Sequence, residues 1–88
     1  MLNLSFDAHI FKEGDMFVAY APKLDISSCG HTDEEARRNI REAVKLFLEA
    51  AQHQGTLREI LEESGYRLEA DQWREPEFVA LDRLTMSL

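Results

Sequence analysis

The folds open to this chain are narrowed first by residues 32–52. Thr32-Asp33-Glu34-Glu35 reads as a capping box, in which the threonine hydroxyl accepts from the N–H of Glu35 and the Glu35 carboxylate reaches back across the first turn. Three acids in that turn also complement the positive end of the helix dipole. Ala36, Ile40, Ala43, Val44, Phe47, Leu48 and Ala51 then recur at spacings of three and four and form one apolar stripe. The spacing predicts a helix from Asp33 to Gln52, stopped before Gly55. A helix with one stripe has one side to bury and needs a second layer to bury it on.

The residues before it supply that layer. Leu2, Leu4, Phe6, Ala8 and Ile10 alternate with Asn3, Ser5, Asp7 and His9, the period of a strand with one buried face. Lys12-Glu13-Gly14-Asp15 is the polar link of a hairpin. Met16-Phe17-Val18-Ala19-Tyr20-Ala21 is apolar on both faces, as in a central strand covered on both sides, and Pro22 ends its pairing. Leu24, Ile26 and Ser28 share one face of a short third strand ending near Gly30.

Beyond the long helix, Thr56-Leu57-Arg58-Glu59 repeats the capping pattern and opens a shorter helix with Leu57, Ile60 and Leu61 inward, closed by Gly65. Thr32, Glu35, Thr56 and Glu59 are therefore the expected capping residues. Residues 67–77 read as a loop or irregular edge. Phe78 to Leu88 reads as a last strand, with Leu84, Met86 and Leu88 alternating against Thr85 and Ser87. The fold class is α+β: a two-layer domain over 1–88 with an antiparallel three-stranded meander, one long amphipathic helix, a short helix and a C-terminal strand.

One helix covers one face of such a sheet. Phe11, Phe17 and Ala19 are assigned to the other face, and an exposed apolar patch of that kind marks an interface. The C-terminal segment, a second copy of the chain or a partner are the candidates to cover it. A chain of 88 residues buries only about 60–65% of its unfolded surface, so association with itself also strengthens a modest core.

Charge bears on the kind of partner. The net charge is −7, and residues 56–77 alone hold seven acids against three bases. No segment has a basic excess, which disfavours a surface that grips nucleic acid through its phosphates. The acidic end suits a basic partner, because complementary charge steers encounter. The N-terminus lacks the basic and apolar blocks of a signal peptide, and the longest strictly apolar run, Met16–Ala21, is far short of a membrane span. Cys29 is the single cysteine and fits a reducing compartment, so a cytoplasmic location is expected.

Phe17-Val18-Ala19-Tyr20-Ala21-Pro22-Lys23-Leu24-Asp25-Ile26, Gly30-His31-Thr32-Asp33-Glu34-Glu35-Ala36 and Asn39-Ile40-Arg41-Glu42-Ala43-Val44 together resemble the HicB antitoxin family. Ala19, Pro22, Leu24, Gly30, Thr32, Glu35, Ala36, Asn39, Glu42 and Ala43 are the matching positions, and the likeness covers residues 6–51. The resemblance implies a partly degraded ribonuclease-H-like fold without nuclease activity. It implies a partner as well: HicA, a small basic RNA-cleaving toxin that such a domain neutralises. Family members often add a C-terminal DNA-binding module. Only 23 residues follow Gly65 here, without a second helical pair, so no direct DNA binding is expected of this chain.

Chemistry-bearing residues are sparse. Asp7 and Asp25 resemble a remnant of a carboxylate metal site, but such a site takes three or four converging carboxylates. Cys29-Gly30-His31 offers one thiol and one imidazole where zinc takes four ligands, and a turn accounts for both. Arg37, Arg41 and Lys45 make a basic stripe interleaved with Glu34, Glu42 and Glu49, the pattern of a solvated, self-paired helix face. No catalytic residue, cofactor or metal is assigned. Partner contacts are assigned to Phe11, Phe17 and Trp73 for apolar area and to Glu62, Glu63 and Glu69 for charge. The leading expectation is a non-catalytic, oligomeric protein-binding domain, possible antitoxin to a HicA-type RNase. The alternatives are an orphan oligomeric module without a toxin and, remotely, a metal-dependent nuclease.

Overall fold

In the computed structural model, which describes residues 3–88, three antiparallel strands form a meander in the order β1-β2-β3: β1 His9–Glu13, β2 Met16–Ala21 and β3 Ile26–Gly30. Two helices follow, α1 Asp33–Gln54 and α2 Leu57–Glu63, then a hairpin of β4 Arg67–Glu69 and β5 Gln72–Arg74. The class is α+β, as the sequence pattern predicts.

α1 packs across β2 and β3. Ala36, Ile40, Val44, Leu48 and Ala51 are its buried row, and the first four close over Ala19, Ala21, Leu24, Leu61 and Tyr66. Burying the three large aliphatics of that row is worth about 1.5–3 kcal/mol each. Phe47, expected in the stripe, lies at its flank and is exposed. The first capping box forms: Thr32 Oγ1 accepts from the Glu35 N–H at 3.0 Å, and Glu35 Oε1 accepts from the His31 N–H at 3.1 Å. Asn39 adds a lateral tie, its Nδ2 donating to the Cys29 carbonyl at 2.7 Å.

The second capping box does not form. Gly55, at φ 78°, closes α1 by donating to the Gln52 carbonyl, and the Thr56 N–H donates to Ala51 at 2.9 Å. This pair of bonds is a Schellman closure. Thr56 is thereby held at φ −107°, ψ 1°, away from the extended geometry of an N-cap. Its hydroxyl turns back to the Ala51 carbonyl at 3.4 Å, so neither Thr56 nor Glu59 caps α2.

Three further expectations are corrected. Residues 3–8 hold no ladder, because after Ala21 the chain turns through Pro22–Asp25 and leaves no strand for them to pair with. Part of their alternation survives, since Leu4, Phe6 and Ile10 are half-buried against the core, whereas Ala8 is exposed; Leu2 lies outside the described residues. Residues 67–74 are a true hairpin with Ala70 and Asp71 at φ 51° and 61°, the signature of a two-residue turn with both φ values positive. No strand forms over 78–88: those residues pair with nothing among the described residues and are exposed throughout.

Gly30 is buried opposite Phe17, and a methyl group on it would stand 2.8 Å from the Ala36 nitrogen and from Glu35 Cβ. Gly30→Ala is expected to cost about 2 kcal/mol by forcing α1 off the sheet, lowering the melting temperature by about 10 °C in a thermal scan.

Tyr66 is buried, and its hydroxyl donates to the Ser5 carbonyl at 2.7 Å, tying the N-terminal segment to the end of α2. Burial pushes its phenol from the ordinary 10.0 up to about 12, with the carboxylates of Glu75 and Asp7 adding to the rise. The folded chain therefore holds that proton more tightly than the unfolded chain. Its contribution to stability is complete below about pH 10 and is lost as the pH climbs through 12. Denaturant titrations are expected to show stability falling above pH 10, with Tyr66→Phe flattening the fall while costing about 1 kcal/mol at neutral pH.

Candidate protein-binding surface

Register decides which side chains meet α1. Ile10 faces Ala19, which faces Ser28, and Lys12 faces Phe17, which faces Gly30. Ala19 is fully buried, so this set is the helix side. The other set, His9, Phe11 and Glu13 on β1, Met16, Val18 and Tyr20 on β2, and Ser27 and Cys29 on β3, forms the outer face.

Phe17 is therefore not on the face to which the sequence reading assigned it. It is half-buried against the core, with the Lys12 ammonium 5.9 Å from its ring centroid. Ala19 likewise belongs to the helix side. Phe11 does occupy the outer face, 52% exposed, with its ring edge-on to His9 at 6.4 Å between centroids. Met16, Val18 and Tyr20, which the sequence pattern did not single out, complete the apolar part of that face. The face's polar rim is drawn in by one bond: the Tyr20 hydroxyl donates to Asp25 Oδ1 at 3.0 Å. That carboxylate, with burial second, holds the Tyr20 phenol above its ordinary value.

Trp73 stands opposite Leu68 in the hairpin and is half-buried against the core. Its indole lines a hollow with Leu4, Leu57 and Gln52, on a different part of the surface from Phe11. The acidic residues are partly satisfied within the chain. Glu62 accepts from Arg58 at 2.8 Å, and Glu69 sits 3.5 Å from Arg67 and 4.0 Å from Arg74. Glu63 has no cation within salt-bridge distance among the described residues, which makes it the least screened of the three nominated acids.

Neither candidate chemical site converges. Asp7 is held by Lys23 at 3.3 Å and Asp25 by Tyr20. Among the described residues no three metal-ligating side chains cluster. Cys29 is exposed on the outer face, next to Val18, and its own carbonyl is engaged by Asn39. In the basic stripe Arg37 pairs with Asp33 at 3.1 Å, but the expected pairing with Glu34, Glu42 and Glu49 does not form, and Arg41 and Lys45 have no acid within salt-bridge distance among the described residues.

Two surfaces therefore stand out for their chemistry: an aromatic and aliphatic outer sheet face, and an acidic end made by α2 and the hairpin. No helix of the described residues is long and apolar enough to cross a membrane. Comparison of the chain with protein-family models, with curated proteins and with solved structures finds no match.

Proposed function

We propose that the chain is a non-catalytic protein-binding domain that works as an assembly of copies, and that its partner is a small basic RNase of the HicA type. The observation that carries the reading is the outer sheet face, where Phe11 is 52% exposed beside Met16, Val18 and Tyr20. An uncovered apolar sheet face is unfavourable in water and is retained where a protein partner covers it. The acidic end supplies the second half of the reading, because a cationic protein is drawn to it over several ångströms before contact. The HicB-like motifs in residues 6–51 add the class of partner.

Co-expression with the small basic protein encoded beside it tests the reading. A complex that co-purifies and loses its RNase activity is expected, with Phe11→Asp weakening it. Reversing Glu62, Glu63 and Glu69 to Lys is expected to slow association about tenfold at low salt and to flatten its salt dependence, read by stopped-flow or surface plasmon resonance. The Glu63→Lys change is expected to carry the largest share. Absence of any complex while the chain still self-associates would leave an orphan oligomeric module in its place.

A further inference from the structure

Residues 75–88 leave the body as an arm. Glu75 lies 3.7 Å from Lys23, Pro76 seats against Gly65, and Phe78 and Leu81 border a shallow hollow shared with Asp7, Ala8 and His9. Phe78, Val79, Leu81, Leu84, Met86 and Leu88 are nonetheless all at least 68% exposed. A compact chain of 10.2 kDa exposes about 5,300 Å², whereas this one exposes 7105 Å². Its radius of gyration is 15.0 Å, against about 12 Å for a compact chain of this length. The excess of about 1,800 Å² is more than the roughly 800 Å² that each partner of a standard interface buries.

The molecule also has an unfilled receptor for such an arm. β1 is an edge strand, and residues 3–8, which precede it, belong to no ladder; of their carbonyls, that of Ser5 accepts from Tyr66. Between that segment and α1 runs a groove whose open apolar lining is Leu4 and Phe6, over a floor of the buried Val44 and Leu48, with Arg41, Lys45, Glu49 and Gln52 at its rim. An open edge above an apolar groove is a template for strand addition, in which main-chain bonds hold the strand and alternate side chains fill the groove. The arm has the matching pattern, with Leu84, Met86 and Leu88 on one side and Thr85 and Ser87 on the other.

We propose that residues 78–88 are an exchanged strand: the arm of one copy pairs along the open edge formed by residues 3–8 and β1 of a second copy, setting Leu84, Met86 and Leu88 against Leu4 and Phe6 above the groove floored by Val44 and Leu48. Each chain offers one arm and one edge, so two copies that exchange arms reciprocally close on each other with two-fold symmetry and leave no further arm to propagate. This deepens the assembly part of the proposed function and rests on it for nothing else.

Light scattering or sedimentation of the full chain is expected to give a dimer of about 20 kDa, twice the chain mass of 10.2 kDa. Leu84→Asp with Met86→Asp alters side chains 89% and 82% exposed in the single chain, so the fold should persist by circular dichroism. That variant is expected to run as a monomer, its dimer weakened at least a hundredfold. Phe11→Asp is expected to stay dimeric, and amide exchange over 3–8 and 82–88 is expected to be slowed in the dimer alone. A full chain that is monomeric, with the arm docked on its own edge, overturns the proposal. So does a double variant that remains dimeric, or a Phe11→Asp chain that falls to monomer. A dimer that behaves as expected but binds no basic RNase would sink the antitoxin reading and leave the exchanged strand standing.

Discussion

The seat of α1 on the sheet is the contact from which the other features follow. It is built from small side chains: Ala19, Ala21 and Ala36 are fully buried, and Gly30 has no room for a methyl beside Ala36. Small residues let the helix backbone come close to the strands, so Ile40, Val44 and Leu48 reach past the sheet surface to Leu61 and Tyr66. A close seat is also a narrow one. The helix lies over β2 and β3, and the β1 side of the sheet is covered chiefly by Leu4 and Phe6, reaching in from a segment that has no ladder of its own. The open edge and the groove beside it are thus consequences of where the small residues stand.

Much of this was legible in the sequence where the information is local. The capping box and the stripe of α1 are both written within one helix, and both formed except that Phe47 falls outside the buried row, with two residues added at the C-terminal end. What failed were assignments that depend on a neighbour. Thr56 has the residues of an N-cap around it, but it is also the second residue past Gly55, and the carbonyl of Ala51 had the prior claim on its N–H and hydroxyl. Met16–Ala21 is apolar at every position, so a period of two gives its two faces but not which one meets the helix. The pairing of Ile10 with Ala19 and of Phe17 with Gly30 settles it, and it takes Phe17 from the proposed surface. The hairpin of residues 67–74 was hidden for a third reason. Its turn places Ala70 and Asp71 at positive φ without the glycine or asparagine that advertises such a turn.

The binding surface was half legible. Phe11 was recognisable as an apolar residue out of step with its strand, and the charge imbalance of residues 56–77 can be counted directly. The degree to which that charge is already spent within the chain cannot be counted, since it depends on Arg58 meeting Glu62 and on Arg67 and Arg74 closing on Glu69 across the hairpin. Exposed pairs of this sort contribute little to stability, but each lowers the field that a distant cation feels. The acidic end is therefore weaker as a steering surface than its seven acids indicate, and Glu63 outweighs its two neighbours there.

The two proposals use different parts of the same strands, which is why they are compatible. Edge pairing consumes main-chain donors and acceptors along β1 and residues 3–8 and buries side chains on the helix side. Face packing consumes the side chains of His9, Phe11, Val18 and Cys29, which point the other way. A strand added at the edge extends the sheet sideways and leaves its outer face open, and wider by the width of one strand, about 4.8 Å. Two-fold closure then presents two such faces from one particle. A partner with two matching surfaces gains from the raised local concentration of the second site without any new contact.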